Sequence, residues 1–357
     1  MRTKAIVIIA LLLKSFLVDA QEVKIKKADK EYSQYAFVNA IETYEKVAEK
    51  GYKSVELFQK LGNAYYFQGK LEDANKWYVE LFNMNQSVEA EYYFRYAQTL
   101  KAVGDYKKAD QIMAEFNSKN SSDLRGKLAK SQSDYLAEIK KKSGRYKVEN
   151  AGINSQFSDY GTAFYKDEIV FTSARDSSGV SGRKHSWTNQ SYTNLYSATK
   201  SDDNNLGTPE KFSKSVASKY HESTPAFTKD GNTMYFSGSN FEHGRKKYDK
   251  KDNNNIKIYK STKVNGQWTP AQKMAFNKNG GSMMHPALSP DEKRLYFSSN
   301  YGAGFFADYD LYYVELEGEN KDVWVRLPEP INTAGREQYP YLDAQGNLYF
   351  SSAGLPG

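Results

Sequence analysis

Apolar residues recur at spacings of three and four from Ala28 to about Gly144, and no proline occurs before Pro209. That period predicts helices. Beyond about residue 150 the pattern changes. Short runs alternate large aromatic with small polar side chains, which predicts strands. The chain is therefore expected to be multidomain, with an all-α part over 21–145 and an all-β part over 146–357.

The helical part repeats. Ala40, Ala74 and Ala109 lie 34 and 35 residues apart. Each is preceded by Phe37, Leu71 or Tyr106 and followed by Tyr44, Tyr78 or Met113, then by Val47, Leu81 or Phe116. A small residue lets one helix approach the next, and the larger ones fill the gap between neighbouring units. Gly69 and Gly104 stand five residues before their alanines, where a turn between helices favours positive φ; the first unit has no such glycine. One helical hairpin cannot bury its apolar face, so the units must stack. Leu124, Leu128, Tyr135, Leu136 and Ile139 form a partial stripe that predicts a closing helix, with Lys140-Lys141-Lys142 at its C-terminal end.

The second part repeats at a longer period. Phe171, Phe236, Phe297 and Phe350 each precede Ser or Thr, in runs such as Leu295-Tyr296-Phe297-Ser298-Ser299. Before them come Ser223-Thr224-Pro225-Ala226, Met284-His285-Pro286-Ala287 and Tyr339-Pro340-Tyr341. The first three units add a strand at Asn194-Leu195-Tyr196, Ile258-Tyr259 and Asp310-Leu311-Tyr312. Asp230-Gly231 predicts a hairpin turn with positive φ at both residues. Each unit reads as strand, tight turn, strand, long loop, strand, and three or four strands repeated at this spacing predict propeller blades.

Leu61-Gly62, Tyr65, Gly69, Ala74, Tyr78 and Leu81 resemble the tetratricopeptide repeat. Pro286 to Ser299 resembles the WD40-like repeat of TolB-type β-propellers, with Glu292 in place of a glycine. The first resemblance implies an inner groove that binds extended peptides or partner helices, lined by Gln59, Asn63, Tyr66, Phe94, Gln98 and Lys101. The second implies a propeller that stops in its fourth blade, so the chain reads as an incomplete product or one whose ring a partner closes. A loop with Arg245, Lys246 and Lys247 is a further contact for an acidic partner.

The composition removes most chemistry. Without Cys there are no thiolate metal sites, disulfides or Cys nucleophiles. His185, His221, His243 and His285 have no metal-ligand spacing. Gly179-Val180-Ser181-Gly182 has the wrong spacing for a nucleophile elbow. Asp230 and Asp291 sit at turns and read as turn residues. Loops at Asp202–Asn205 and Asp249–Asn255 hold oxygen ligands suited to Ca²⁺, without EF-hand spacing. Hence no enzyme, cofactor or metal is expected.

Met1–Ala20 joins a basic start, an apolar run over Ala5–Leu13 and a small-residue end, which predicts a secretory leader. Its loss removes three cations and one anion from a net +7. The remaining charge is mixed in sign and points to no nucleic acid. Together, the two repeat types resemble gram-negative envelope proteins that continue into an OmpA-like peptidoglycan-binding domain and serve type IX secretion and gliding. The expected role is a periplasmic scaffold beside an outer-membrane β-barrel, peripheral to the membrane. Peptidoglycan binding would need a C-terminal domain outside this sequence. The alternatives are a TolB-like peptide or transport-partner module and the propeller gate of a serine peptidase.

Overall fold

The computed structural model describes residues 21–355, apart from 132–133, 146, 176–183, 204, 251 and 303–308. The leader and Gly179-Val180-Ser181-Gly182 lie outside the described residues. The chain forms two compact units, Met1–Ala129 with Lys184–Asn189, and Lys130–Arg183 with Gln190–Gly357. Among the described residues, no helix is long and apolar enough to cross a membrane.

Residues 21–33 are helical (α1). There follow α2 (Phe37–Glu49), α3 (Val55–Phe67), α4 (Leu71–Asn83), α5 (Ala90–Ala102) and α6 (Tyr106–Lys119). The repeated positions are the core: Ala40, Ala74 and Ala109 are fully buried, as are Tyr44, Tyr78, Val47, Leu81 and Phe116. Gly69 and Gly104 turn the chain before α4 and α6 at φ +73° and +81°. In the first unit Tyr35 holds the corresponding place and takes the same left-handed backbone, φ +59°. A non-glycine residue there costs about 1–2 kcal/mol.

Gly62 shows how close the helices run. A Cβ on it would stand 2.5 Å from Cε1 of buried Tyr78. An alanine in a helix interior normally gains up to about 1 kcal/mol over glycine, but overpacking costs about 1–3 kcal/mol. Gly62→Ala is therefore expected to lower stability by about 1–2 kcal/mol in denaturant unfolding; an unchanged or raised midpoint would show that Tyr78 yields freely.

The predicted closing helix is two short ones, α7 (Leu124–Ser131) and α8 (Tyr135–Lys142). The stripe packs only in part: Leu124, Leu128 and Tyr135 are half-buried, whereas α8 buries no residue and Leu136 and Ile139 are 40% and 48% exposed. Arg125 and Gly126 are the buried residues of α7, so a charged side chain is its most buried large one.

In the second unit, the first sheet joins β1 (Asp159–Tyr165), β2 (Glu168–Ser173), β3 (Asn194–Thr199) and β4 (Glu210–Lys211) in chain order, all antiparallel. The second repeats this with β5 (Glu222–Phe227) and β6 (Thr233–Ser239). After a small hairpin, β7 (Phe241–Glu242) and β8 (Arg245–Lys246), it continues through β9 (Ile256–Val264) to β10 (Gln267–Trp268) and β11 (Gln272–Lys273). The third runs β12 (Met283–Leu288), β13 (Arg294–Ser299), β14 (Asp310–Glu315), β15 (Val325–Arg326). The last has β16 (Glu337–Leu342) and β17 (Leu348–Ser352).

Neighbouring sheets bury both faces of their middle strands. Met234 and Phe236 of β6 pack with Tyr165, Val170 and Leu195, while Tyr235 between them packs with Met283, Leu295 and Phe297. This alternation follows from the two-residue period of a strand.

The tight turns correct one expectation. Asp230-Gly231 is not a pair of positive-φ residues; Gly231 alone is left-handed, and its N–H donates to the carbonyl of Thr228 at 2.8 Å. Glu292 takes the same conformation at the equivalent place, φ +61°. Two-residue turns with both φ positive occur instead at His243-Gly244 and Asn265-Gly266, the second an Asn-Gly signal of the usual kind.

Candidate docking surfaces

Two of the six residues expected to line the inner groove of the helices belong to the interior. Asn63 is 7% exposed and Phe94 3%, whereas Gln59, Tyr66, Gln98 and Lys101 are half-buried. Asn63 is the hub of a polar network. Its Oδ1 accepts from Tyr78 Oη at 2.9 Å and from Arg95 Nη1 at 2.7 Å. Arg95 also donates to Glu91, and its guanidinium lies 5.0 Å from the Phe67 ring and 5.9 Å from Tyr66 and Tyr92. Glu91 in turn accepts from Arg125 at 2.9 Å, and Arg125 holds Asp123 and stacks 4.2 Å from Phe94. Burial would lower the Arg125 pKa, but facing Asp123 and Glu91 raise it, so the cation is secure. Burial lowers that of Lys101. The result is a spine of paired charges, buried at Arg125 and Asp123 and half-buried at Glu91 and Arg95, beside a half-exposed α3–α5 surface.

The sheet unit has a second repeated arrangement. The inner strands β1, β5, β12 and β16 each carry a bulge, with Gly161, Thr224, His285 or Tyr339 left-handed at it. The hydroxyls after the repeated aromatics stitch neighbouring sheets through these bulges. Thr224 N–H donates to Thr172 Oγ1, and His285 N–H to Ser237 Oγ, both at 2.8 Å. His285 stacks on Tyr339 at 3.8 Å, and Tyr160 meets Tyr339 edge-on at 6.4 Å. Burial pushes the His285 pKa down to about 3, so the ring is neutral.

In three of these four strands the first residue closes the preceding loop. Asp159, Glu222 and Glu337 accept from the N–H groups of Ser155, Ser218 and Thr333, each four residues earlier. Their surroundings separate them. For Asp159, burial raises the pKa, but bonds from Ser173, Ser155 and Arg175 outweigh it and hold the carboxyl below the usual range. Glu222 is pushed up to about 8, mainly by burial, and its Oε2 has no partner among the described residues. It borders a cavity of about 10 Å³ beside Leu195, Phe212 and Val216, room for one water and no more. In the third sheet Met283 replaces the carboxylate, and buried Lys257 donates to the carbonyls of Gly281 and Lys278 instead.

The basic loop is only partly a surface. Lys246 bonds Tyr192 Oη at 2.9 Å and lies over the Tyr192 and Tyr220 rings; Lys247 pairs with Glu242 at 3.3 Å; Arg245 is exposed. Asp249 accepts from Asn253 N–H and Asn255 Nδ2, which closes its own loop. Asp230 and Asp291 likewise accept from Thr228 and Ser289 hydroxyls and from following N–H groups, the turn role their positions predict. The network at Asn63 escaped sequence reading because its bonded partners sit up to 34 residues apart, on α3, α4, α5 and α7.

No family model matches the sequence, and no curated protein is similar to it. Among solved structures, one described as TolB from Agrobacterium tumefaciens is 16% identical over 52% of this chain and 50% of its own, with a TM-score of 0.32. A puromycin-hydrolyzing peptidase of Mycobacterium tuberculosis is 12% identical over 55% of this chain and 28% of its own, at 0.33. Hydrazine synthase of Kuenenia stuttgartiensis is 14% identical over 44% and 42%, at 0.27. The chain thus spans half or less of each structure. The helix pairs and antiparallel sheets stand on their own hydrogen bonds.

Proposed function

We propose that this chain is a non-enzymatic adaptor of the bacterial envelope. In this reading tetratricopeptide-type helices and a TolB-like propeller each present a docking surface, beside an outer-membrane β-barrel and within an OmpA-family or type IX secretion assembly. The carrying observation is the α3–α5 surface: Gln59, Tyr66, Gln98 and Lys101 stay half-buried above a spine that locks their helices. A surface held rigid before binding loses little entropy on contact, which favours docking of an extended partner. On the sheet unit, exposed Arg245 and Lys247 offer a separate contact for acidic groups. The leader-like segment supports export, and nothing in this reading requires nucleic acid or a cofactor.

Affinity recovery from envelope extracts with the tagged chain tests it. The expected result is enrichment of an outer-membrane protein. Recovery of none, under cross-linking that preserves envelope complexes, would overturn the adaptor reading.

A further inference from the structure

The helical unit contains six residues from far along the chain, Lys184–Asn189. They form a closed turn: Asn189 N–H donates to the His185 carbonyl at 2.8 Å, and Asn189 is left-handed at φ +57°. Trp187 lies at the start of α2. Its ring stacks on Tyr35 at 6.1 Å and meets Phe37 edge-on at 5.0 Å, with Phe67 stacked behind Phe37 at 6.3 Å. Gln68 Nε2 donates to the Trp187 carbonyl at 2.8 Å, and Val38 N–H to that of Ser186 at 3.3 Å.

Two features of the helices explain why something must sit there. The N-cap of α2 is Ala36, whose side chain cannot accept from the first turn, so Val38 N–H needs an outside acceptor. Tyr35 bears the strain of a glycine position, and its ring, already edge-on to Phe37 at 6.1 Å, stacks on Trp187 as well. The segment thus supplies the missing cap and adds a second ring to the Tyr35–Phe37 pair, and a turn already closed by its own hydrogen bond loses little entropy on docking.

We propose that this notch is a recognition site for an indole-bearing turn, and that Lys184–Asn189 is its ligand in cis. The inference stands on the helical unit's own contacts and does not rest on the adaptor reading.

The test uses the full chain and a labelled peptide of residues 184–190, followed by fluorescence anisotropy. Trp187→Ala vacates the notch and should bind the peptide at least roughly ten-fold more tightly than the wild type, whose notch is filled. A peptide with alanine for tryptophan should not bind, and Tyr35→Ala in the Trp187→Ala chain should abolish binding. Trp187→Leu keeps apolar bulk and should fall between Trp187→Ala and wild type, which guards against misfolding of the larger truncation. Equal binding by wild type and both variants, or none by either variant at native circular dichroism, overturns the proposal.

Discussion

Glu222→Gln is expected to stabilise the sheet unit at pH 7 by about 3 kcal/mol and to change nothing at pH 4. Burial raises this acid from 4.5 to about 8, so the folded state holds a proton that the unfolded chain releases. Its favourable contribution is complete below pH 4.5 and is lost as pH rises through 8. Glutamine keeps the acceptor for Ser218 N–H and has no proton to lose. His285 acts at the other end. Its pKa is lowered from 6.5 to about 3, so its contribution is complete above pH 6.5 and drains away as pH falls toward 3. Asparagine tolerates the left-handed backbone, so His285→Asn should flatten that acid limb while losing the stack on Tyr339. Urea unfolding of the sheet unit across pH 3–9, followed by Trp268 and Trp324 fluorescence, measures both. A Glu222→Gln curve parallel to wild type from pH 4 to 8 would contradict the protonated assignment.

Asn63→Leu should cost the helical unit about 3 kcal/mol or more. It leaves Tyr78 Oη and one arm of Arg95 buried without their acceptor, and a buried polar group left unpaired costs about 1–3 kcal/mol, more when charged. Gln59→Ala and Gln98→Ala should stay within about 0.5 kcal/mol of wild type, as for ordinary surface positions. Thermal unfolding followed at 222 nm separates the two cases. A loss under about 1 kcal/mol for Asn63→Leu would mean that the network is not a structural spine.

The same contrast shows what the sequence could and could not tell. Ala40, Ala74 and Ala109 announce the helix pairs because close approach needs a small residue at a fixed period. Phe171, Phe236 and Phe297 announce the sheets because strands buried on both faces carry large apolar residues in short runs, as Met234-Tyr235-Phe236 do. Asn63 and Phe94 carry the spacing of a groove, yet lie inside. On a helix of 3.6 residues per turn the groove face and the packing face share an edge, and spacing alone does not say on which side of it a residue falls. The outer strands β4, β11 and β15 are two residues long, too short for any alternation to register. Trp187 has no local signal either; its partners lie more than a hundred residues earlier, and only the glycine missing at Tyr35 hinted that the first turn differs.

In the proposed adaptor role, the half-exposed α3–α5 surface docks a partner while the hydrogen-bonded spine holds the fold. The most direct measurement compares recovery of the envelope partner by wild type and by a Gln59→Ala, Gln98→Ala, Lys101→Ala triple variant at equal thermal stability. At least a roughly ten-fold loss of partner is expected for the variant, with Arg125 and Asn63 untouched. Undiminished recovery by a stable variant would contradict it.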